Sequence, residues 1–183
     1  CSSDLGFEFV DAKNVIVFNT DGSLDAVATD EALREKLSKV SNAVIPGFYG
    51  ADKDGNIVTF SRGGSDVTGA LVAASIAADL YENWTDVSGF LMADPRIIDN
   101  PKPISQITYS ELRELSYMGA SVLHEDAIFP VRKTGIPINI KNTNKPQDSG
   151  TFIVQSSDCS DNPTIITGIA GKKDFTVISI TKA

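Results

Sequence analysis

The chain has 183 residues, 42% hydrophobic and 22% charged, enough to bury one sizeable core as a soluble globular protein. Its net charge of −8 argues against nucleic-acid or membrane-surface binding, which needs clustered Lys and Arg, so an anionic ligand requires a local positive site such as Arg62, Arg96 or a helix N-terminus. No apolar run approaches the ~20 residues that span a bilayer, Cys1 and Cys159 fit no metal spacing, and the single histidine argues against zinc chemistry and Ser-His-Asp catalysis, so a cytoplasmic protein is expected.

In chain order, Phe7–Val10 and Val15–Phe18 read as strands, the second apolar throughout as in a sheet covered on both faces. Thr29 or Asp30 can cap a helix whose Leu33, Leu37 and Val40 form one stripe. Ala43–Pro46 is the next strand, and Phe48–Gly50 and Ile57–Phe60 flank an Asp-Gly turn as a hairpin. The hairpin leads into Ser61-Arg62-Gly63-Gly64-Ser65-Asp66 and a helix expected from Asp66 to Leu80, with Val67, Ala70, Leu71 and Ala74 at helical spacing. Two adjacent glycines let the backbone approach a ligand, Ser65 or Asp66 can cap the helix, and the free N–H groups and helix dipole converge on an anion. An ordinary glycine turn before a capped helix is the plainer alternative.

Glu82–Val87 follows as a strand with Trp84 in the core, then a loop over Ser88–Pro103. Ser110 is placed to cap a helix through Met118, a second helix runs from about Glu125 to Lys133, and Ile136–Ile140 is a strand. Glu111, Arg113 and Glu114 read as a solvated helix face, and His124 as structural. Asn142–Gly150 is a surface loop, Ser156–Pro163 a domain boundary, and Thr164–Ile169 and Phe175–Ile180 are strands. The alternation predicts an α/β three-layer sandwich with a mainly parallel sheet and ligands at the C-terminal strand ends. Two terminal strands cannot form an independent domain, so a truncated chain is expected.

Taken together, Thr59-Phe60-Ser61-Arg62-Gly63-Gly64-Ser65-Asp66, Trp84-Thr85-Asp86-Val87-Ser88-Gly89, Ala93-Asp94-Pro95-Arg96 and Val122-Leu123-His124 resemble the aspartokinase signatures in order and spacing. The resemblance covers roughly residues 7 to 154, and the tail from Thr164 is similar to the first strands of an ACT regulatory region. It implies the amino-acid kinase fold, with residues 1–155 as the C-terminal, nucleotide-binding part of the catalytic domain, 156–163 as linker and 164–183 as the beginning of an ACT domain. It also implies ATP-dependent phosphorylation of the aspartate side chain, the first step toward lysine, threonine and methionine.

In that reading Arg62, Gly63, Gly64 and Ser65 bind the substrate and Asp66 is catalytic, orienting lysines or the metal environment. Thr85, Asp86, Leu91, Met92, Ala93, Asp94, Pro95 and Arg96 bind ATP, whose phosphates carry Mg2+ with no protein metal cage. The full-length protein is expected to dimerise through its ACT region, where an amino-acid inhibitor could act. The family's Lys-Phe-Gly-Gly strand-turn and a substrate-binding glutamate are not in this sequence, so the fragment alone is expected to be inactive. Ser121 stands where relatives carry Lys or Arg, and Lys133, Arg132 or Arg96 could replace that cation. Another carboxylate kinase of the same fold, or a nucleotide-binding module without catalysis, are the alternative readings.

Overall fold

The structure, a computed structural model, describes residues 6–117, 125–156 and 166–171. β1 (Glu8–Phe9) pairs in parallel with β3 (Ala43–Val44). Past a 3-10 turn at Ala12–Asn14, β2 (Val17–Phe18) pairs in parallel with β4 (Tyr49–Asp52). The expected strand from Val15 therefore starts late: Val15 and Ile16 are buried, but their N–H groups close the turn onto Ala12. Parallel neighbours need a crossover, here α1 (Ala26–Leu37).

The start of α1 corrects the sequence reading. Asp25 is the N-cap, its carboxylate accepting from the Ala28 N–H at 3.1 Å, so the helix begins a turn before Thr29. Thr29 is fully buried inside it, and its hydroxyl accepts from the Val17 N–H at 2.9 Å. Its oxygen thus satisfies a strand donor, which from sequence looks the same as a cap. The hairpin is as expected: β4 turns through Asp52–Asn56 into antiparallel β5 (Ile57–Thr59), with Gly55 at φ 84° and the Asp52 carboxylate accepting from Asp54 and Asn56.

The second half forms a four-stranded sheet in the order β6 (Tyr81–Thr85), β8 (Ile138–Asn142), β9 (Thr151–Val154) and β7 (Gln106–Thr108). β6 and β8 are parallel, as are β7 and β9, while β8 and β9 run antiparallel. The helices are α2 (Gly64–Ser75), α3 (Tyr109–Tyr117) and α4 (Glu125–Thr134). α2 is the wall shared by two cores. Its Ala70 and Ala73 join Ile138, Ile140, Ile153, Ile128 and Val131, and its Leu71 joins Ile16, Phe18 and Leu33. The small residues on α2 let α4 approach closely.

Two further expectations change. Ser110 does not open α3: the Thr108 hydroxyl accepts from the Glu111 N–H at 3.2 Å while Glu111 Oε2 accepts from the Thr108 N–H at 2.8 Å, a capping box that starts two residues before Ser110. Glu111 is therefore tied into the fold rather than part of a solvated face. Ile166–Gly171 is irregular backbone rather than strand, and the rest of the two terminal strands, with Cys1, Cys159, Ser121 and His124, lies outside the described residues. Among the described residues no helix is long and apolar enough to cross a membrane.

Candidate functional site

The Arg62 loop turns into α2 at Gly63, whose φ of 60° makes it the N-cap without any side-chain hydrogen bond. Neither Ser65 nor Asp66 caps, because a left-handed residue that glycine adopts without strain already redirects the chain. Ser65 and Asp66 instead occupy the first turn, beside the positive end of the helix dipole. Gly64 is required by space: a Cβ there would stand 2.8 Å from both Phe48 Cα and Phe60 Cβ. Phe48, at φ 71° and 54% exposed, is pinned against this turn by its N–H to the Thr68 hydroxyl at 3.2 Å and its carbonyl to the Phe60 N–H at 3.0 Å. Arg62 is exposed, with no ion pair among the described residues.

Asp66 connects this turn to β6. Asn83, buried on β6, donates through Nδ2 to Asp66 Oδ1 at 2.9 Å and to the Tyr81 hydroxyl at 3.1 Å. Burial pushes the Tyr81 hydroxyl up, so it stays protonated. Asn83 escaped the sequence reading, although it shares a strand face with Thr85 by alternation.

At the C-terminal end of β6 the Thr85 carbonyl accepts from the Thr143 N–H at 2.8 Å and hydroxyl at 2.9 Å. The Thr85 hydroxyl donates to Asp86 at 3.3 Å, and Asp86 is exposed. Beneath them Ser88 donates to Asp148 at 2.6 Å and accepts from Asn142 Nδ2 at 2.9 Å, while Lys141 Nζ donates to the Asp148 carbonyl at 2.6 Å. The surface loop 142–150, exposed over most of its length, therefore also braces the strand end. Trp84, expected in the core, is 45% exposed on the other face of β6, with Lys141 Nζ 5.4 Å from its ring centroid and its Nε1 donating to Glu82 at 3.2 Å. Among the described residues β6 pairs only with β8, so Trp84 stands on an edge strand with Lys141 of β8 as its cross-strand neighbour.

The loop 88–104 leaves β6 through a narrow neck. Phe90 is buried, its N–H donates to the Thr151 hydroxyl at 2.8 Å and its carbonyl accepts from the Ile104 N–H at 2.8 Å. Met92 N–H donates to the Lys102 carbonyl at 2.9 Å, and Leu91 bridges to Pro103. At the tip, Ala93 and Asp94 are half-buried and Pro95 and Arg96 are exposed. Arg96 is engaged there: its Nη2 donates to Asp94 Oδ2 at 2.6 Å and its Nε to the same carboxylate at 3.0 Å. These bonds hold the Asp94 carboxyl down at about 2.

The structure thus joins the Arg62–Asp66 turn to the Thr85–Asp86 strand end through Asn83, and leaves Arg96 on a separate loop with Asp94 as its partner. A mostly apolar cleft of about 660 Å³ reaches Ser65, Thr68 and Gly69 from between β3, the end of α1 and β6, but does not include the other site residues.

A glycine turn that opens a helix beside a parallel strand pair is a geometry that can receive an anion. The amino acid kinase family model matches residues 6–142, and the chain belongs to that family. Within it the similarity is to aspartokinases. Aspartokinase 3 of Bacillus subtilis (strain 168) is 42% identical over 181 residues, covering 96% of this chain and 39% of that protein. The crystal structure of Clostridium acetobutylicum aspartate kinase superposes with a TM-score of 0.84 at 60% identity over 92% of this chain and 39% of its own. E. coli aspartokinase III, solved with aspartate and ADP, superposes with a TM-score of 0.74 at 30% identity over 85% of this chain and 36% of its own. The chain therefore spans about 39% of the length of the first two relatives.

Proposed function

We propose that this chain is the C-terminal part of the catalytic domain of an aspartate kinase together with the start of a regulatory region, and that the full-length protein transfers the γ-phosphoryl group of ATP to the side-chain carboxylate of aspartate. In that reaction a carboxylate oxygen attacks the γ-phosphorus, the bond to the β–γ bridging oxygen breaks, and ADP leaves. Catalysis of this kind rests on positioning and charge neutralisation, with the divalent ion carried on the triphosphate. The observation that carries the reading is the Asn83–Asp66 hydrogen bond at 2.9 Å, which fixes the substrate turn relative to the nucleotide strand end.

Arg62, exposed and planar, grips a substrate carboxylate with its bidentate fork, and the Gly63, Gly64 and Ser65 N–H groups at the helix start stabilise the moving phosphoryl group. Asp66, held by Asn83, orients the catalytic lysines or the metal environment. Thr85 and Asp86 receive the nucleoside, and the segment Leu91–Arg96 covers the phosphates. Residues 1–155 belong to the catalytic domain, 156–163 to a linker and 164–183 to the opening of an ACT domain. The cleft supports this division, because β3 pairs only with β1 and β6 only with β8 among the described residues, leaving two strand edges for chain from elsewhere in the protein. The complete protein is a cytoplasmic homodimer through its ACT region, where an amino acid acts as inhibitor.

The test is an assay of the full-length protein with ATP and aspartate, trapping the acyl phosphate with hydroxylamine. Aspartyl hydroxamate that appears only with both substrates supports the reading. Hydroxamate from glutamate but not aspartate would transfer it to another carboxylate kinase, and ATP binding without any hydroxamate would leave a nucleotide-binding module.

A further inference from the structure

Ile166–Gly171 returns across the neck of the 88–104 loop and is fixed there at two points of different kinds. The Ile169 N–H donates to the Met92 carbonyl at 2.7 Å, and the Thr167 hydroxyl donates to Glu111 Oε1 at 2.5 Å. Met92 already donates its own N–H to Lys102, so this crossing segment extends the hydrogen-bond ladder of the neck itself. Gly168 lies between the two anchors. A Cβ on it would stand 3.4 Å from the Met92 carbonyl oxygen and from Leu115 Cδ1, ordinary contact distances that leave no slack. Ile166 and Ile169 then flank Ile98 and Pro101 of the loop around an apolar cavity of about 430 Å³.

Glu111 is where these threads meet. Its Oε2 is occupied by Thr108 in the box that starts α3, and its Oε1 is occupied by Thr167. Burial raises the Glu111 carboxyl, and the hydrogen bonds from Thr167 and Thr108 more than offset it, so the group sits below its usual range and remains an ionised acceptor. A charged acceptor holding one hydroxyl from a helix start and one from a distant segment locks the two together more firmly than neutral partners would. Main chain and side chain therefore grip opposite ends of a three-residue crossing, Thr167 to Ile169.

We propose that Ile166–Gly171 is a strap that holds the 88–104 loop in its nucleotide-receiving form, with Thr167 and Glu111 as positioning residues for ATP. The role for ATP rests on the assignment of Leu91–Arg96 to the nucleotide made above. Aspartate, gripped at the start of α2, makes no contact with the strap and keeps its affinity.

The experiment uses the full-length protein with Thr167→Val, which removes the hydroxyl at nearly constant shape, and Thr167→Ser, which keeps it. Two quantities are read: the rate of tryptic cleavage at the exposed Arg96–Ile97 bond, and the Michaelis constants for ATP and aspartate. With Thr167→Val, cleavage and the ATP constant should both rise ~5- to 10-fold, the aspartate constant should stay within about twofold, and Thr167→Ser should restore both. Faster cleavage with an unchanged ATP constant keeps the strap but removes the nucleotide from this loop. Cleavage at the wild-type rate overturns the strap, as does an equal rise in both Michaelis constants, which marks a merely structural residue.

Discussion

Arg96 is the cation at the tip of the 88–104 loop, with Lys102 at its neck, and its carboxylate neighbour decides what it can do. The Asp94 carboxylate accepts from two guanidinium nitrogens of Arg96 and neutralises it, so any phosphate must compete with a carboxylate already in place. The Asp94 carboxyl at about 2 is depressed relative to an unfolded aspartate, so the pair favours the folded loop above the unfolded value near 3.8 and loses that contribution as pH falls toward 2. A carbon-detected NMR titration should show Asp94 titrating near 2, and a midpoint close to 4 would mean that the pair does not persist in solution. Asp94→Asn keeps an acceptor for the Arg96 N–H but frees its charge, so if Arg96 meets phosphate this variant binds ATP more tightly and adenosine unchanged. Arg96→Ala should weaken ATP more than adenosine, and equal losses would place Arg96 elsewhere. Arg62 has no such competitor. Arg62→Lys keeps the charge and loses the bidentate fork, so aspartate utilisation should fall ~10-fold or more while the ATP constant stays put. An unchanged aspartate constant with normal turnover would remove Arg62 from the site.

At the scale of elements, the start of α2 is held by shape rather than by a polar cap. Gly64→Ala drives a methyl group into the Phe48 backbone, which has nowhere to go, since its N–H and carbonyl are both committed. A loss of ~1–3 kcal/mol is expected from that overpacking. Urea unfolding of the full-length protein checks it, with a midpoint equal to wild type counting against the contact. The same turn shows what a sequence can convey. Gly63-Gly64 announced a tight approach at a helix start, and local pattern placed α1, α2 and α4 and the β4–β5 hairpin, because those signals are local. What escaped depends on neighbours distant in the chain. Thr29 reads as a cap but satisfies Val17, Glu111 reads as solvated but ties Thr108 to Thr167, and Trp84 reads as core but stands exposed beside Lys141 of β8. β7 and β9 are three and four residues long, too short for a period to appear.

For the whole molecule, the two half-cores meet on α2, while among the described residues β3 and β6 each keep a free edge beside an apolar cleft. Residues 1–183 expressed alone are therefore expected to give no aspartyl hydroxamate, since the lysine-bearing strand-turn of the family is not among them. Sustained product from that piece would overturn the proposed division of the catalytic domain. The position of Trp84 has a consequence for synthesis. β6 emerges from the ribosome long before β8, with α3 and α4 still to be made, so for that interval the edge of β6 that β8 will occupy has no partner. Lys141 comes to rest over the indole only when β8 docks in register, Trp84 opposite Lys141. This stretch has one tryptophan, and it sits where the late parallel pair closes. Its fluorescence is thus a built-in clock for the moment a nascent chain completes the strand end on which a nucleotide would rest.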